Sequence, residues 1–364
     1  MKQNESKRVC IIVDCLSIGG AEKIAGVLSI ELEKLGYDIS IISLWDKITY
    51  PYTGTLYNLG ENESKIKWVK QIKKFFKFKK AYKNANADFY IDFRVRNRTI
   101  LEFLLHAFVF VNSKMIFTIH NYHVDLHIPN GNYFRKFYKK SHKVVAVSKA
   151  IEDRLNGEYG LTNTKLIYNF IDEELVSAKA HMPIEINLPS NYIVSVSRLN
   201  NAVKQIDSLI DTYKNSELPK SDVKLLILGE GEDKVHLEAV IEKENLEENV
   251  FLLGFKDNPY PIIKNAQFLV LCSKFEGFPM VLLESLKLGT PVVSFNCTSG
   301  PNEIIRHNQN GLLVEDQNFE KYKEALNTLT SNEALYSSCK NNAQSSVEKF
   351  NTVSIMREWK EILK

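Results

Sequence analysis

The chain of 364 residues is 44% hydrophobic and 25% charged, long enough for two domains and ordinary in composition for a globular protein. Its formal net charge of +3 selects no class of partner, and no uninterrupted apolar stretch reaches the length of a membrane span. The cysteines, Cys10, Cys15, Cys272, Cys297 and Cys339, are odd in number and show neither zinc-knuckle nor CxxC spacing. Buried reduced thiols in a reducing compartment are therefore expected.

Residues 1–8 are polar and carry no leader pattern, so the expected location is cytoplasmic. Short β-branched or aromatic runs at residues 9–16, 39–45, 89–93, 114–120, 144–148 and 166–169 predict buried parallel strands. Residues 21–35 predict a helix closed by Gly36, a good C-terminal stop. Strand, helix and strand in this order imply a parallel sheet with right-handed crossovers. Residues 172–191 are polar, contain Pro183 and Pro189, and read as a linker. The pattern then restarts, with strands expected at 192–198, 223–228, 250–253, 268–272, 291–295 and 311–314. Helices are expected at 205–215 and 233–245, and residues 319–364 read as mostly helical. The fold class expected is α/β, with two Rossmann-like, doubly wound domains, residues 1–188 and 189–364, facing a cleft. The last helix is free to cross back to the first domain. In such sheets ligands bind beyond the C-terminal strand ends.

Gly19-Gly20-Ala21-Glu22 follows the first strand and opens a helix. Glycine there either lets an anion approach the helix N-terminus or serves only the turn itself. The spacing is neither GxGxxG nor that of a P-loop, which argues against NAD and ATP. Arg94, Arg96 and Arg98 alternate just past a strand; surface placement is expected, with one or two available to an acceptor phosphate. His120 ends a strand and points towards the cleft, while His123 and His127 read as polar loop residues rather than zinc ligands. Arg198 and Lys204 lie on the loop after the first strand of the second half. A guanidinium fork plus an ammonium suits a diphosphate; two solvated cations are the plainer alternative. Gly229-Glu230-Gly231 and Gly254-Phe255 follow the next two strands and either contact a nucleobase or only turn the chain.

The densest signal is Phe275-Glu276-Gly277-Phe278-Pro279-Met280-Val281-Leu282-Leu283-Glu284-Ser285. Two carboxylates, Glu276 and Glu284, flank the point where a loop becomes a helix, and helix-start N–H groups favour an anion. A phosphate at those N–H groups with hydroxyls at the two acids describes a nucleotide sugar. A second local signal lies between Lys65 and Lys83, where nine lysines and no acid interleave with Ile66, Trp68, Val69, Ile72, Phe75, Phe76, Phe78 and Tyr82. Trp68, Ile72, Phe75, Phe76 and Tyr82 fall near one helical face. This basic amphipathic helix either meets an anionic membrane or a lipid-diphosphate acceptor, or packs on the core with a solvated basic face. No nucleic-acid module surrounds it.

Taken in order, Gly19-Gly20-Ala21-Glu22, Thr118-Ile119-His120, Val147-Ser148, Tyr168-Asn169-Phe170-Ile171-Asp172, Ser197-Arg198-Leu199 with Lys204, Gly229-Glu230-Gly231, Gly254-Phe255, the Glu276/Glu284 pair and Ser299-Gly300-Pro301-Asn302-Glu303-Ile304-Ile305 carry a resemblance. Over nearly its full length the chain resembles the retaining GT-B glycosyltransferases of family 4. Within them it looks like bacterial enzymes that build surface polysaccharides, lipopolysaccharide among them, or polyprenyl-diphosphate-linked glycans. The run Leu252-Leu253-Gly254-Phe255-Lys256-Asp257-Asn258-Pro259-Tyr260 is similar to hexosaminyltransferases that extend undecaprenyl-diphosphate oligosaccharides.

The resemblance implies a UDP-sugar donor, a glycan or polyprenyl-diphosphate-linked acceptor and no bound metal. It implies that Arg198 and Lys204 hold the donor diphosphate, and that Glu276 binds hydroxyls of the transferred sugar with the backbone N–H groups of Phe278, Met280 and Val281. Glu284 would bind the ribose and Gly19 and Gly20 the phosphates, with His120 near the reacting sugar; Gly254 and Phe255, from their turn, are expected at the donor nucleotide. Ser197 and Phe170 stand where family members often have glycine. The reaction expected is transfer of a hexose or N-acetylhexosamine with retention, by same-face attack. A nucleotide-sugar 2-epimerase of the same fold and a non-catalytic transferase-like subunit are the alternatives.

Overall fold

The structure, a computed structural model, describes residues 6–17, 19–61, 67–111, 113–184 and 186–364, with residues 67–69 described by their backbone alone. The chain divides into two units, Met1–Phe170 with Thr352–Lys364, and Ile171–Asn351. The border anticipated at 188/189 thus falls inside the second unit.

In the first unit the order is β1 (Arg8–Val13), α1 (Gly20–Lys34), β2 (Asp38–Ser43), β3 (Thr55–Asn58), α2 (Lys67–Ala85), β4 (Phe89–Asp92), α3 (Thr99–Phe108), β5 (Met115–Ile119), α4 (Asn132–Lys140), β6 (Lys143–Ala146), α5 (Lys149–Gly157) and β7 (Thr164–Leu166). Among the described residues these strands form one seven-stranded sheet in the order β3-β2-β1-β4-β5-β6-β7, and the pairings are parallel. Residues 9–13 of β1 are fully buried, which is why the central strand reads as an unbroken apolar run. β3 escapes sequence reading because it is a short edge strand whose residues are exposed or half-buried. The chain moves one way along the sheet from β1 to β2 and the other way from β3 onward. Right-handed crossovers therefore place α1 on one face and α2, α3, α4 and α5 on the other.

In the second unit the order is α6 (Glu173–Lys179), β8 (Tyr192–Val196), α7 (Asn201–Lys204), α8 (Ile206–Lys214), β9 (Lys224–Leu228), α9 (Lys234–Lys243), β10 (Val250–Gly254), α10 (Tyr260–Asn265), β11 (Leu269–Leu271), α11 (Met280–Lys287), β12 (Val292–Phe295), α12 (Pro301–Ile304), β13 (Gly311–Val314), α13 (Phe319–Ser331) and α14 (Glu333–Ser346). Among the described residues its six strands order as β10-β9-β8-β11-β12-β13. Ile193, Leu225, Ile227, Phe268, Val270 and Val293 fill the core. Buried Tyr213 and Tyr322 donate to Val223 O at 2.7 Å and Val293 O at 3.0 Å, so neither hydroxyl is left unsatisfied. The segment expected as a linker instead contains α6, capped by the Asp172 carboxylate, which accepts from Leu175 N at 2.9 Å. The final helix, α15 (Thr352–Ile362), belongs to the first unit, where Lys165 Nζ meets Glu358 Oε2 at 2.6 Å.

Each sheet reverses its strand order once near its middle, between β1 and β4 and between β8 and β11. Those two switch points are where open α/β sheets hold ligands. No helix among the described residues is long and apolar enough to cross a membrane.

Candidate active site

At the second switch point, the loops after β8 and β11 bring an acid and a base together. Lys204 Nζ lies 2.5 Å from Glu276 Oε1, with the two side chains 18% and 13% exposed. Local structure fixes both. The Asn200 side chain caps α7 by accepting from Val203 N at 3.2 Å, and α7 stops at Gln205, whose φ of 50° breaks it from α8. The Cys272 thiol donates to Lys204 O at 3.2 Å and Lys274 N to Val203 O at 2.9 Å, which ties the loop after β11 to α7. Burial pushes the Cys272 thiol up to about 12, so it stays a neutral donor. Arg198 is exposed, and among the described residues it forms no ion pair.

The loop bearing Glu276 rests on residues 298–300. Glu276 N donates to Thr298 O at 3.3 Å and Ser299 Oγ to Gly277 O at 2.7 Å. Gly300 has φ +100°, and a Cβ there would come within 2.5 Å of Pro279 Cδ, so only glycine fits. α11 then begins after Pro279 without a side-chain cap. Glu284, one turn further on, is buried and accepts a hydrogen bond from the Tyr260 hydroxyl at 3.2 Å. The Phe278 side chain is buried against Phe350, at a ring distance of 5.3 Å, whereas Phe255 stands exposed. Gly229 has a plain structural duty: a Cβ would lie 1.8 Å from Ser197 O, so the turn after β9 packs directly against the Arg198 loop.

The first switch point is occupied differently. Arg94 and Arg96, expected on the surface, are buried to 1% and 0% exposure. Arg94 Nη2 donates to Asp92 Oδ2 at 2.7 Å and its Nη1 to Glu102 Oε1 at 3.1 Å. Arg96 donates to the carbonyl oxygens of Thr118 at 2.9 Å and His127 at 2.8 Å. Burial pushes the Asp92 carboxyl up, but Arg94 and Arg96 together outweigh it and hold it below its ordinary value. His127 is also buried rather than part of a polar loop surface, and burial with Arg96 nearby pushes it well down. His120 is half-buried and stacks on Phe93 at 5.0 Å. Both its ring nitrogens are buried without a partner, and burial, then Arg96, pushes it down to about 3. It is a neutral imidazole with one donor and one acceptor to offer. Gly19, at φ +102°, is the N-cap of α1, a conformation that favours glycine whether or not an anion binds. No group of three or more His, Cys, Asp or Glu suited to a metal ion occurs among the described residues.

The family model for glycosyl transferases group 1 matches residues 177–346, and that for Glycosyltransferase Family 4 matches residues 18–175. A relative from Campylobacter jejuni, N-acetylgalactosamine-N,N'-diacetylbacillosaminyl-diphospho-undecaprenol 4-alpha-N-acetylgalactosaminyltransferase, is 31% identical over 97% of this chain and 98% of its own length. The chain is a family 4 glycosyltransferase. The amylovoran biosynthesis glycosyltransferase AmsD of Erwinia amylovora is 26% identical over 98% of this chain and 99% of its own. The crystal structure of Anabaena HepE in complex with UDP-glucose superposes with a TM-score of 0.77 at 19% identity, covering 98% of this chain and 99% of that one, and it shares the GT-B fold.

In this glycosyltransferase, Glu276, Lys204 and Arg198 lie around one switch point, and Glu284 follows on α11. Gly254, with φ +70°, ends β10, two strands away. Two contributors have no role assigned from the sequence, although Tyr260 and Ser299-Gly300 help carry the resemblance: Tyr260, the partner of Glu284, and the 298–300 segment under Glu276. Of the basic helix, Lys65 and Ile66 and the side chains of Lys67, Trp68 and Val69 lie outside the described residues. The remainder does not form the single apolar face anticipated. Tyr82 is buried and stacks on Tyr90 at 3.9 Å, while Ile72 and Phe76 are exposed.

Proposed function

We propose that this glycosyltransferase moves a hexose or N-acetylhexosamine from a UDP-sugar to a hydroxyl of a growing glycan with retention at the anomeric carbon. The setting is surface-polysaccharide or lipid-linked glycan synthesis, on the cytoplasmic face of a membrane. The observation that carries the reading is the Lys204–Glu276 pair at the β8/β11 switch point, with exposed Arg198 on the loop that leads to Lys204. The diphospho-undecaprenol in the name of the C. jejuni relative and the UDP-glucose bound to HepE support the acceptor and donor classes.

Arg198 and Lys204 take the donor diphosphate. Negative charge grows on it as the sugar–phosphate bond breaks, so fixed cations stabilise the transition state more than the ground state, and no metal is required. Lys204 meanwhile neutralises Glu276, which leaves that carboxylate able to accept from sugar hydroxyls beside a dianionic group. Backbone N–H groups of Phe278, Met280 and Val281 assist it. Glu284, oriented by Tyr260, takes the ribose hydroxyls, and Gly254 and Phe255 flank the base. In the first unit, neutral His120 offers its ring to a sugar hydroxyl, and Gly19 and Gly20 offer backbone to phosphate. The acceptor hydroxyl attacks the face the nucleotide leaves, and the departing phosphate oxygen takes its proton. The α linkage in the relative's name is the outcome retention gives from an α-linked donor.

The test is a screen of UDP- and GDP-sugars for nucleotide release with a lipid-linked acceptor, in the presence of a metal chelator, followed by NMR of the product. A retained anomer from a UDP-sugar is expected. An inverted anomer, or a sugar trapped covalently on a side chain, would sink the mechanism. An epimer formed from UDP-sugar without acceptor would reassign the protein as a 2-epimerase.

A further inference from the structure

α3 carries polar groups on its buried face, where Glu102 and His106 flank Leu105 and sit against the Arg94 cluster. Its outward face carries Ile100, Phe103 and Phe108, exposed to 79%, 45% and 59%. Half-buried Leu104 and Ala107 lie between them, and exposed Val111 follows the helix. Positions 100, 103, 104, 107 and 108 follow helical spacing, so they form one stripe, and Val111 lies just past its end. That stripe contains no charged side chain.

The helices on either side of α3 share its face of the sheet and carry no acid at all. α2 exposes Lys73, Lys79, Lys80 and Lys83 beside Ile72 and Phe76. α4 exposes Arg135, Lys136, Lys139 and Lys140. Phe103 touches Tyr133 of α4 at a ring distance of 5.0 Å, which makes the apolar stripe continuous with the basic helix. Arg135, Lys136 and Lys139 also line an open depression of about 350 Å³. The one acid on its rim, Glu158, is engaged by Arg154 at 2.9 Å.

We propose that the outward stripe of α3 docks on an anionic lipid bilayer, with Ile100, Phe103 and Phe108 entering the headgroup–acyl boundary while the cations of α2 and α4 meet lipid phosphates. An apolar helix face rimmed by cations is the composition of an interfacial segment. The ten residues of α3 span about 15 Å, which suits a helix lying in the interface rather than crossing it. Charge argues against a second copy of the chain as the occupant. A two-fold contact on this face would bring the cations of α2 and α4 against the same cations of the other copy. The docking gives a lipid-linked acceptor its setting and in that sense rests on the function proposed above, but it is measured without donor or acceptor.

The experiment is co-sedimentation of the full chain with vesicles of phosphatidylcholine alone and of phosphatidylcholine with phosphatidylglycerol, at low and high salt. Binding is expected to the phosphatidylglycerol vesicles only, and to weaken with salt. The double substitution Phe103→Ser/Phe108→Ser is expected to lower that partition about tenfold or more. Phe103→Leu/Phe108→Leu is expected to keep most of it, which separates apolar insertion from loss of fold; circular dichroism of both variants checks the fold directly. Lys136→Gln is expected to lower it roughly fivefold. Absence of wild-type binding to phosphatidylglycerol vesicles, or equal binding by the serine variant, would overturn the proposal. So would a wild-type dimer, seen by light scattering, that the serine substitutions convert to monomer. Transfer to a water-soluble acceptor is unchanged in the serine variant if docking is the stripe's only role. Failure of the wild type to transfer to any acceptor would count against the proposed function and leave the docking result standing.

Discussion

The two units solve the same topological problem with opposite outcomes. Both sheets reverse order between two central strands, and both put charged side chains on the loops there. In the first unit the charges cancel internally: Arg94 is held by Asp92 and Glu102, and Arg96 by backbone carbonyls. In the second unit, Arg198 is exposed and Lys204 and Glu276 share one contact while both stay partly exposed. The lesson is that a charged switch point is not itself a ligand site. What matters is whether neighbouring groups already satisfy the charges.

The largest effect should come from breaking the satisfied switch point. Arg94→Ala leaves Asp92 and Glu102 buried without their cation, which costs about 3–5 kcal/mol. Denaturant unfolding followed by circular dichroism measures it. A loss below about 1 kcal/mol would mean that the cluster is solvated and that the contrast between the units is false. The open switch point should behave the other way. Glu276→Ala is expected to leave stability within about 0.5 kcal/mol and to reduce transfer roughly 100- to 1,000-fold. Unchanged transfer with correct folding would remove Glu276 from the site.

Acid should separate the units next. Burial pushes His106 and His120 down to about 3 and His127 well below its ordinary value, whereas His181, His236 and His307 of the second unit are exposed. Below about pH 6.5 the unfolded chain protonates these three histidines and the folded chain does not. Stability of the first unit therefore falls as pH falls, by up to about 1.4 kcal/mol per pH unit for each histidine. The comparison belongs between about pH 7 and 5, above most carboxylate titration. His106→Phe removes one contribution and is expected to flatten the slope; an unchanged slope would assign the acid sensitivity elsewhere.

Much of this was legible from residue order. Buried parallel strands must be continuous apolar runs, so β1, β8 and their neighbours announce themselves, and β3 at the edge does not. The Glu276/Glu284 pair was legible because Pro279 marks where a loop turns into an apolar helix. α6 is hidden by its length of seven residues within a polar stretch, although Asp172 followed by Glu173 and Glu174 is a capping signal. Alternating arginines ordinarily mean surface, and Arg94 and Arg96 depart from that rule. The clue lies in their surroundings: Asp92 closes a buried strand, and Glu102 faces away from Ile100, Phe103 and Phe108. The placement that turns Glu102 inward to Arg94 also leaves Phe103 and Phe108 facing outward.

The smallest predicted effect is the most specific. Tyr260 and Glu284 are 24 residues apart, and the packing of α10 on α11 brings them together. Tyr260→Phe keeps the ring and removes the hydroxyl, so the buried Glu284 carboxylate loses one donor at a cost of about 1 kcal/mol. If Glu284 binds the ribose, that carboxylate is less firmly oriented when the donor arrives. The apparent KM for the UDP-sugar should then rise roughly fivefold with kcat nearly unchanged, the signature of lost ground-state binding. A 2′-deoxyribose donor should be far less sensitive to the substitution, because it lacks one of the hydroxyls that Glu284 would meet. Equal sensitivity of the two donors would place Glu284 and Tyr260 in the core of the second unit alone, and leave Glu276 as the single acid of the open switch point that handles the donor.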